Sequence, residues 1–256
     1  MFSFYQLKSS KFGSDFVLEK PYKRILLKLS GESLAGEKGF GIDFEETMKI
    51  ARTLKKLTSK GIEVSVVVGG GNFWRGRSNS EMDRVKADHI GMMATMMNAT
   101  ALSDCINQAG AKSIVLSAVP FPQVGKHYSP ERADKHLKNG EIVIFGYGTG
   151  NAFFSTDTAS SLRAAEIKVI LKAAANVNGV YDSDPNKNPN AKRYETLTFD
   201  EMLAKNLKVI DGSAAAMCRD NGISFLIFNM NPLENIVNIL PWALWSHHKI
   251  LKKKGN

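Results

Sequence analysis

The sequence has little of what several classes of protein require. Its 256 residues include two cysteines, Cys105 and Cys218, which lie far apart and form no CxxC pair, so neither a disulfide framework nor a zinc site is indicated. We expect both to be reduced thiols. Residues 1–6 lack the charged start and apolar run of a signal peptide, and the apolar stretch 239–245 is too short to span a bilayer. These features predict a cytoplasmic protein without a membrane partner.

Positive charge exceeds negative charge, but the excess lies at the two ends of the chain. The 34 lysines and arginines against 25 acidic residues give a net charge of +9, of which residues 1–24 hold +3 and residues 241–256 hold +4. Basic tails of this kind are more often solvated than bound to a phosphate backbone. The sequence therefore does not favour a nucleic acid as partner.

Short apolar runs alternate with stretches of helical period, which is the pattern of βαβ units around a mainly parallel sheet. This pattern predicts an α/β fold. Two helices are well marked, one that begins after the N-cap Asp43 and closes at Gly61, and one that runs from Asp83 to Gln108. The predicted strands are residues 25–29, 62–68, 113–119, 141–145, 168–171 and 224–228.

The packed domain is expected to span residues 23–240. Residues 1–22 precede the first strand and residues 241–256 follow a proline after the last helix, so both are predicted to be extensions outside the domain. Within the domain, residues 183–190 contain two prolines and three asparagines, a composition typical of an exposed loop.

Three of the predicted strands end in glycine-rich loops, at residues 28–32, 69–76 and 146–157. In open α/β sheets ligands bind beyond the carboxyl ends of the strands, and glycine lets backbone N–H groups approach an anion closely. No GxxxxGK[ST] motif occurs, and the third loop has Asn151 where a dinucleotide fold needs its last glycine. The loops supply the phosphate donors Lys28, Ser30, Arg75, Thr149, Ser155 and Thr156. Together they predict a phosphate site of another kind.

Seven segments identify a family. They are residues 28–32, 39–43, 69–76, 84–92, 148–157, 177–185 and 209–211. With these motifs in this order, residues 23–240 resemble the bacterial UMP kinase branch of the amino-acid-kinase superfamily. The resemblance implies a three-layer αβα sandwich. It also implies a kinase of pyrimidine nucleotide biosynthesis that transfers the γ-phosphoryl group of ATP to UMP, with Mg²⁺ carried by ATP.

The resemblance assigns one set of residues to the phosphate donor. The implied ATP-binding residues are Lys28, Leu29, Ser30, Gly31, Gly71, Arg75, Tyr181 and Asp184. Lys28 would offset charge on the transferring phosphate, with Asp157 and Asp211 ordering the active site and Asp211 orienting the lysine or the Mg²⁺. No other protein ligand to the metal is implied. Two simpler interpretations stay open: Lys28 as a charged residue leaving an edge strand, and Asp157 as a helix N-cap.

A second set would hold the acceptor. The implied UMP-binding residues are Gly70, Asp88, Thr149, Gly150, Asn151, Ala152, Phe153, Phe154, Ser155 and Thr156. In the family the residue at Asp88 accepts hydrogen bonds from the ribose, and the loop at 149–156 holds the acceptor phosphate. That phosphate is ionised at neutral pH, so the transfer needs no general base. The simpler interpretation of Asp88 is a charge or cap in the first turn of its helix.

Regulation and assembly rest on the resemblance alone. Relatives are typically homohexamers built as trimers of dimers, and many are activated by GTP, with UTP a further effector. The segment that corresponds to GTP activation is Gly36, Glu37, Lys38, Gly39, Phe40 and Gly41. The methionines of the long helix, Met92, Met93, Met96 and Met97, either pack the core or form an interface between chains. Residues 172–176 and Asn178 depart from the family's pattern on the adenine side.

Two rival functions share this fold. A sibling kinase would phosphorylate a carboxylate or carbamate, and an oxoanion-storage protein would bind nucleotide without this turnover. Asp88 and the loop at 149–156 suit a nucleotide acceptor better than a small acid, which disfavours the first rival. The presence of both Lys28 and Asp211 disfavours the second.

Overall fold

The computed structural model describes residues 23–75, 81–175, 179–184, 187–194, 196–207, 209–238 and 248–251. Its strands are β1 Arg24–Leu29, β2 Glu63–Val68, β3 Ser113–Ser117, β4 Lys126–His127, β5 Ile142–Gly146, β6 Ile170–Ala175, β7 Thr196–Thr198, β8 Phe225–Asn229 and β9 His248–Leu251. Its helices are α1 Glu32–Ala35, α2 Phe44–Thr58, α3 Arg84–Gln108, α4 Pro130–Lys138, α5 Thr156–Glu166, α6 Phe199–Ala204, α7 Gly212–Asp220 and α8 Glu234–Asn238. A 3₁₀ turn over Gly36–Lys38 follows α1.

The strands form one sheet in the order β4-β3-β5-β2-β1-β6-β8-β9-β7. Every described pair is parallel except β8 with β9, so the mainly parallel sheet is confirmed. All six predicted strands form, but β6 continues to Ala175, past its predicted end at 171. Alanines have little preference for strands, yet β1 and β8 pair with this run on both sides and hold it extended.

Two hydrophobic cores cover the two faces of the sheet, and successive strand residues alternate between them. Leu27 and Leu29 of β1 belong to the core beneath α1, α2, α3 and α8, whereas Leu26 belongs to the core beneath α4 to α7. All three side chains are fully buried. The sheet therefore lies between two helical layers, which confirms the three-layer αβα sandwich.

The C-terminal tail departs from its expected position outside the domain. His248–Leu251 forms β9, which pairs antiparallel with β8 and parallel with β7. The far edge of β8 has N–H and C=O groups that need a partner strand, and β9 supplies one. The expectation of a detached tail is therefore wrong for these four residues.

Local capping sets where the two marked helices begin. The Asp43 carboxylate accepts hydrogen bonds from the backbone N–H groups of Glu45 and Glu46, at 2.9 and 3.2 Å, and starts α2 as predicted. Asp83 caps α3 in the same way through the Lys86 N–H, at 3.1 Å. Across the described parts of the chain, no helix combines the length and the apolar character needed to cross a membrane.

Candidate active site

The loops after β1, β2 and β5 meet at one edge of the sheet, because these strands are neighbours and run in the same direction. The first two loops are in contact: a Cβ added to Gly31 would lie 2.5 Å from the Gly69 carbonyl oxygen, so the backbone leaves no room for a side chain there. The Gly69 N–H donates to the Leu29 carbonyl at 3.0 Å. The predicted convergence of these loops is confirmed.

The third loop, at 147–156, turns back toward α3. Tyr147 and Phe153 both take positive φ angles, 63° and 72°, which side chains rarely adopt. The Thr149 hydroxyl accepts from the Asn151 N–H at 3.1 Å and closes a turn between them. Phe153 and Phe154 remain largely exposed. The loop thus presents two aromatic rings at the surface next to the glycine loop.

Asp88 lies between α3 and the third loop. Its carboxylate accepts from the Arg84 guanidinium, with both oxygens 2.9 Å from Nε, and from the Phe153 N–H at 2.7 Å. Asp83, not Asp88, caps the helix, so the simpler interpretation of Asp88 as a cap is wrong. The Arg84 guanidinium also lies 5.5 Å from the centre of the Phe153 ring.

A cavity of about 200 Å³ opens beside Asp88. The predicted site residues that line it are Gly70, Gly71, Asp88, Phe154, Ser155 and Thr156. Trp74, Arg84 and Thr95 line it as well, and none of the three is among the predicted site residues. The two glycine loops and α3 therefore enclose one space, with a carboxylate on one wall and hydroxyl groups on another.

Lys28 and Asp157 form an ion pair across the sheet edge, with 3.1 Å between Nζ and Oδ1 and about a fifth of each side chain exposed. β1 lies between β2 and β6, so the interpretation of Lys28 as a residue of an edge strand is wrong. The N-cap of α5 is Ser155, whose hydroxyl accepts from the N–H groups of Asp157 and Thr158. Asp157 is thus free of a capping role and faces the lysine.

Asp211 joins the start of α7 to the start of α5. It caps α7 through the Ala214 N–H at 2.9 Å, and its carboxylate also accepts from the hydroxyls of Ser155 and Thr158. A second cavity, of about 360 Å³, is lined by Ser155, Asp157 and Asp211 together with residues of the α6–α7 connection. Ser155 lines both cavities, so the two spaces meet at this residue.

Arg75 forms an ion pair with Glu32 at the mouth of the site, and both side chains are well exposed. The pair links the end of the second loop to the first turn of α1. Arg75 is therefore near the glycine loops, as predicted, with a carboxylate as its present partner.

Some predicted residues lie apart from the two cavities. Tyr181 forms an antiparallel bridge with Arg193, and neither Tyr181 nor Asp184 is among the residues that line either space. The segment 36–41 touches the second loop through Gly41, whose N–H donates to the Asn72 carbonyl at 3.0 Å, and through a ring contact between Phe40 and Phe73. Of the residues that depart from the family's pattern, 172–175 belong to β6, and 176 and 178 lie outside the described residues.

Sequence reasoning missed Arg84, Thr158 and Asn98. Arg84 had a signal, since the spacing from Arg84 to Asp88 is the i,i+4 spacing of a helical ion pair. Thr158 and Asn98 had none, because their partners come from distant parts of the chain. Asn98 is fully buried on α3 and bonds to Asn72 in the second loop.

The four methionines of α3 divide into two pairs. Met92 and Met96 are buried in the core, whereas Met93 and Met97, one turn apart, are 44% and 46% exposed. Core packing therefore explains only the first pair.

Burial and two negative charges act on Cys218, which lies beneath the carboxylates of the site. They raise the pKa of its thiol to about 11, burial contributing most and the charges of Asp157 and Asp211 adding to it. The thiol is close to the Ser161 hydroxyl, at 3.2 Å. Both Cys218 and Cys105 are free and buried.

A parallel sheet with glycine loops, a lysine and two carboxylates at its carboxyl edge defines a nucleotide-binding α/β enzyme. The model of the amino acid kinase family matches residues 23–229, and the chain belongs to that family.

Two solved structures extend this result. The UMP kinase from Ureaplasma parvum is 37% identical, with a TM-score of 0.82, over 90% of this chain and 99% of that chain. The UMP kinase from Bacillus anthracis is 35% identical, with a TM-score of 0.86, over 92% of this chain and 98% of that chain. The resemblance to the bacterial UMP kinases is thereby confirmed.

Proposed function

We propose that this enzyme transfers the γ-phosphoryl group of ATP to UMP, giving UDP and ADP in pyrimidine nucleotide biosynthesis. The observation that carries the proposal is the meeting of two cavities at Ser155, one bordered by Asp88 and the other by Asp157 and Asp211. A phosphoryl transfer between two nucleotides needs two such spaces with their phosphate ends adjacent. UMP binds on the Asp88 side and ATP on the Asp211 side.

Lys28 supplies the charge stabilisation that the transfer requires. Its ammonium group lies at the end of β1 beside the glycine turn, where it can contact the phosphoryl group as that group moves between the nucleotides. Asp157 keeps the lysine in place without competing for the helix cap. The ATP phosphate site is completed by Leu29, Ser30, Gly31 and Gly71. Arg75 exchanges its contact with Glu32 for one with a phosphate. Tyr181 and Asp184 contact ATP at a greater distance from the transferring phosphate.

The residues present fit a magnesium ion that arrives with ATP. Asp157 and Asp211 place two carboxylates on the same cavity, and no group of three or more metal-binding side chains of the His, Cys, Asp or Glu type is found within the described ranges. Mg²⁺ is typically bound by one or two carboxylates together with substrate phosphates. Asp211 would hold the ion, which neutralises charge on the phosphates when bound.

Nucleotide recognition favours UMP over a small acid as the acceptor. Asp88 accepts hydrogen bonds and suits ribose hydroxyls, while the N–H and hydroxyl groups of residues 149–156 suit a phosphate. A small acid has no ribose hydroxyls to donate to Asp88, so that carboxylate would repel it. An oxoanion-storage protein transfers no phosphoryl group, so it would not need a lysine that Asp157 holds beside the phosphate site.

A coupled assay of ADP release tests the proposal. UMP should be the best acceptor among UMP, CMP, dUMP, aspartate and N-acetylglutamate, with activity dependent on Mg²⁺. Higher turnover with either amino acid would show a sibling kinase, and ATP binding without ADP release would show a storage protein.

We also propose a cytoplasmic homohexamer, a trimer of dimers, in which Met93 and Met97 face a second chain. Two exposed methionines one turn apart form a flexible apolar surface suited to such a contact. Light scattering should give a mass well above the 28.2 kDa of one chain. Met93→Lys with Met97→Lys should lower that mass, whereas a monomeric wild type would overturn the proposal.

GTP is proposed as an effector that acts through residues 36–41, and UTP as a further effector. This segment contacts the second glycine loop through Gly41 and Phe40, which gives it a direct path to the phosphate site. Rates measured with each nucleotide at fixed ATP and UMP test the idea, and rates unchanged by both would refute it.

A further inference from the structure

We propose that Asn98 of α3 is a positioning residue for phosphoryl transfer, and that it acts through Asn72 on the glycine loop at 69–71. The inference rests on the proposed function, since that function puts the loop against the nucleotide phosphates. It concerns a contact beneath the site, away from the nucleotides themselves.

Asn72 and Asn98 form a reciprocal pair of buried amides. Asn72 Nδ2 donates to Asn98 Oδ1 at 2.9 Å, and Asn98 Nδ2 donates to Asn72 Oδ1 at 2.7 Å. The second hydrogens reach backbone carbonyls, from Asn98 to Gly69 and from Asn72 to Gly41, both at 2.6 Å. Each side-chain NH₂ group thus uses both of its hydrogens. Because the two residues are at most 1% exposed, water cannot replace a lost partner.

This pair lies directly under the two glycine loops. A Cβ on Gly31 would lie 2.4 Å from Asn72 Oδ1, so the turn that follows Lys28 rests on the amide. On the other side of the loop, a Cβ on Gly70 would lie 2.7 Å from the Gly91 carbonyl oxygen of α3. The loop at 69–71 is therefore held between the β1 turn and α3. The Asn98 amide fixes the distance between the loop and α3.

α3 carries both Asp88, the proposed ribose contact, and Asn98, whose amide pair with Asn72 we call the clamp. Asp88 and Asn98 are ten residues apart on one continuous helix, a separation of about 15 Å along its axis. A rigid helix fixes the distance between the ribose site and the glycine loop. Loss of the clamp should displace the loop while leaving Asp88 and its contact with the Phe153 N–H in place.

Asn98→Leu removes the clamp with little change in side-chain size. We expect kcat to fall by about 10- to 100-fold, since small displacements of groups that align a reaction have effects of this order. Although Gly70 lines the acceptor cavity, KM for UMP should stay within about threefold, because the ribose contacts of Asp88 are untouched. Asn98→Ser serves as a second variant if the leucine protein does not fold. Thr100→Val is the matched control, since its hydroxyl bonds only to the Met96 carbonyl inside the same helix among the contacts described.

Two further measurements separate positioning from plain stability. In the full chain, amide hydrogen exchange should rise at residues 69–75 in Asn98→Leu and stay unchanged there in Thr100→Val. In a cycle of Asn72→Ala, Asn98→Ala and the double variant, kcat of the double variant should be close to that of the lower single variant, as expected for residues that act as a unit.

The outcomes are distinct. The proposal is supported by a lower kcat with a nearly constant KM for UMP, by a rise in amide hydrogen exchange confined to residues 69–75, and by a non-additive mutant cycle. A kcat within threefold of the Thr100→Val control, whatever the change in Tm, overturns it. If the wild type does not phosphorylate UMP, the proposed function fails, and the exchange comparison alone then decides whether Asn98 holds the loop.

Discussion

The two ends of the site hold their carboxylates in different ways. At the end where we propose that ribose binds, the ribose end, Asp88 is paired with Arg84, four residues earlier on the same helix. At the end where we propose that the phosphates meet, the phosphate end, Asp157 is paired with Lys28 from β1, and Asp211 is bound by Ser155 and Thr158 at the start of α5. The ribose end is thus organised largely within α3, whereas the phosphate end exists only where β1, α5 and α7 come together.

This difference predicts which kinetic constant each end controls. Ribose contacts are made in the ground state and the transition state alike, so changes there should act on KM and on the choice of acceptor. Charge stabilisation at the phosphate end is strongest in the transition state, so changes there should act on kcat. The four predictions below test this division.

The largest effect is expected for Lys28→Met. Removal of one preorganised charge should lower kcat by roughly 100-fold or more while KM for UMP changes little, measured in the coupled ADP assay. Lys49→Met is the control, because Lys49 forms only an exposed pair with Glu46 on α2 among the contacts described. A Lys28→Met enzyme within threefold of the wild type would remove this lysine from the mechanism.

A smaller loss of kcat, about 10- to 100-fold, is expected for Asp211→Asn. Asparagine caps helices as well as aspartate, so α7 should stay intact and Tm should remain close to that of the wild type. Asp83→Asn makes the same change at the cap of α3 and should leave kcat unaltered. If kcat of Asp211→Asn matched that control, Asp211 would be a structural cap only.

The ribose end is tested by Asp88→Ala with UMP and dUMP. The wild type should prefer UMP, since the deoxy acceptor leaves a polar group unpaired at a cost of about 1 to 3 kcal/mol. In the variant the ratio of kcat/KM for UMP to kcat/KM for dUMP should shrink, mainly through a higher KM for UMP. An unchanged ratio would place the ribose elsewhere, and a fall confined to kcat would erase the distinction between the two ends.

The smallest kinetic effect is expected when residues 248–256 are deleted. The deletion removes β9 and so exposes the edge of β8, which should lower Tm, each lost kcal/mol costing about 2–4 °C in a chain of this size. At saturating ATP, kcat and KM for UMP should stay within about twofold, because both ends of the site lie on other strands. An unchanged Tm would show that β9 adds nothing to stability.

Sequence reasoning captured the sheet and the convergence of the loops because both follow from local patterns. Apolar runs predict buried parallel strands, and the carboxyl ends of neighbouring parallel strands must share an edge. It failed where partners are remote. Nothing near Lys28 indicated that Asp157 would be its ion-pair partner, and nothing near Asn98 indicated a bond to the second loop.

The sequence by itself determined the strands of the central sheet, the N-cap Asp43, the long helix that carries Asp88 and the glycine turn next to Lys28, since each depends on residues close together in the chain. Only the tertiary structure decided which groups face one another: Lys28 with Asp157, Asp211 with the hydroxyls of α5, and Asn72 with Asn98. It also decided that residues 248–251 complete the sheet. The physical reason is that a charge or a buried amide is satisfied by whichever partner packing brings within reach, and packing joins distant parts of the chain.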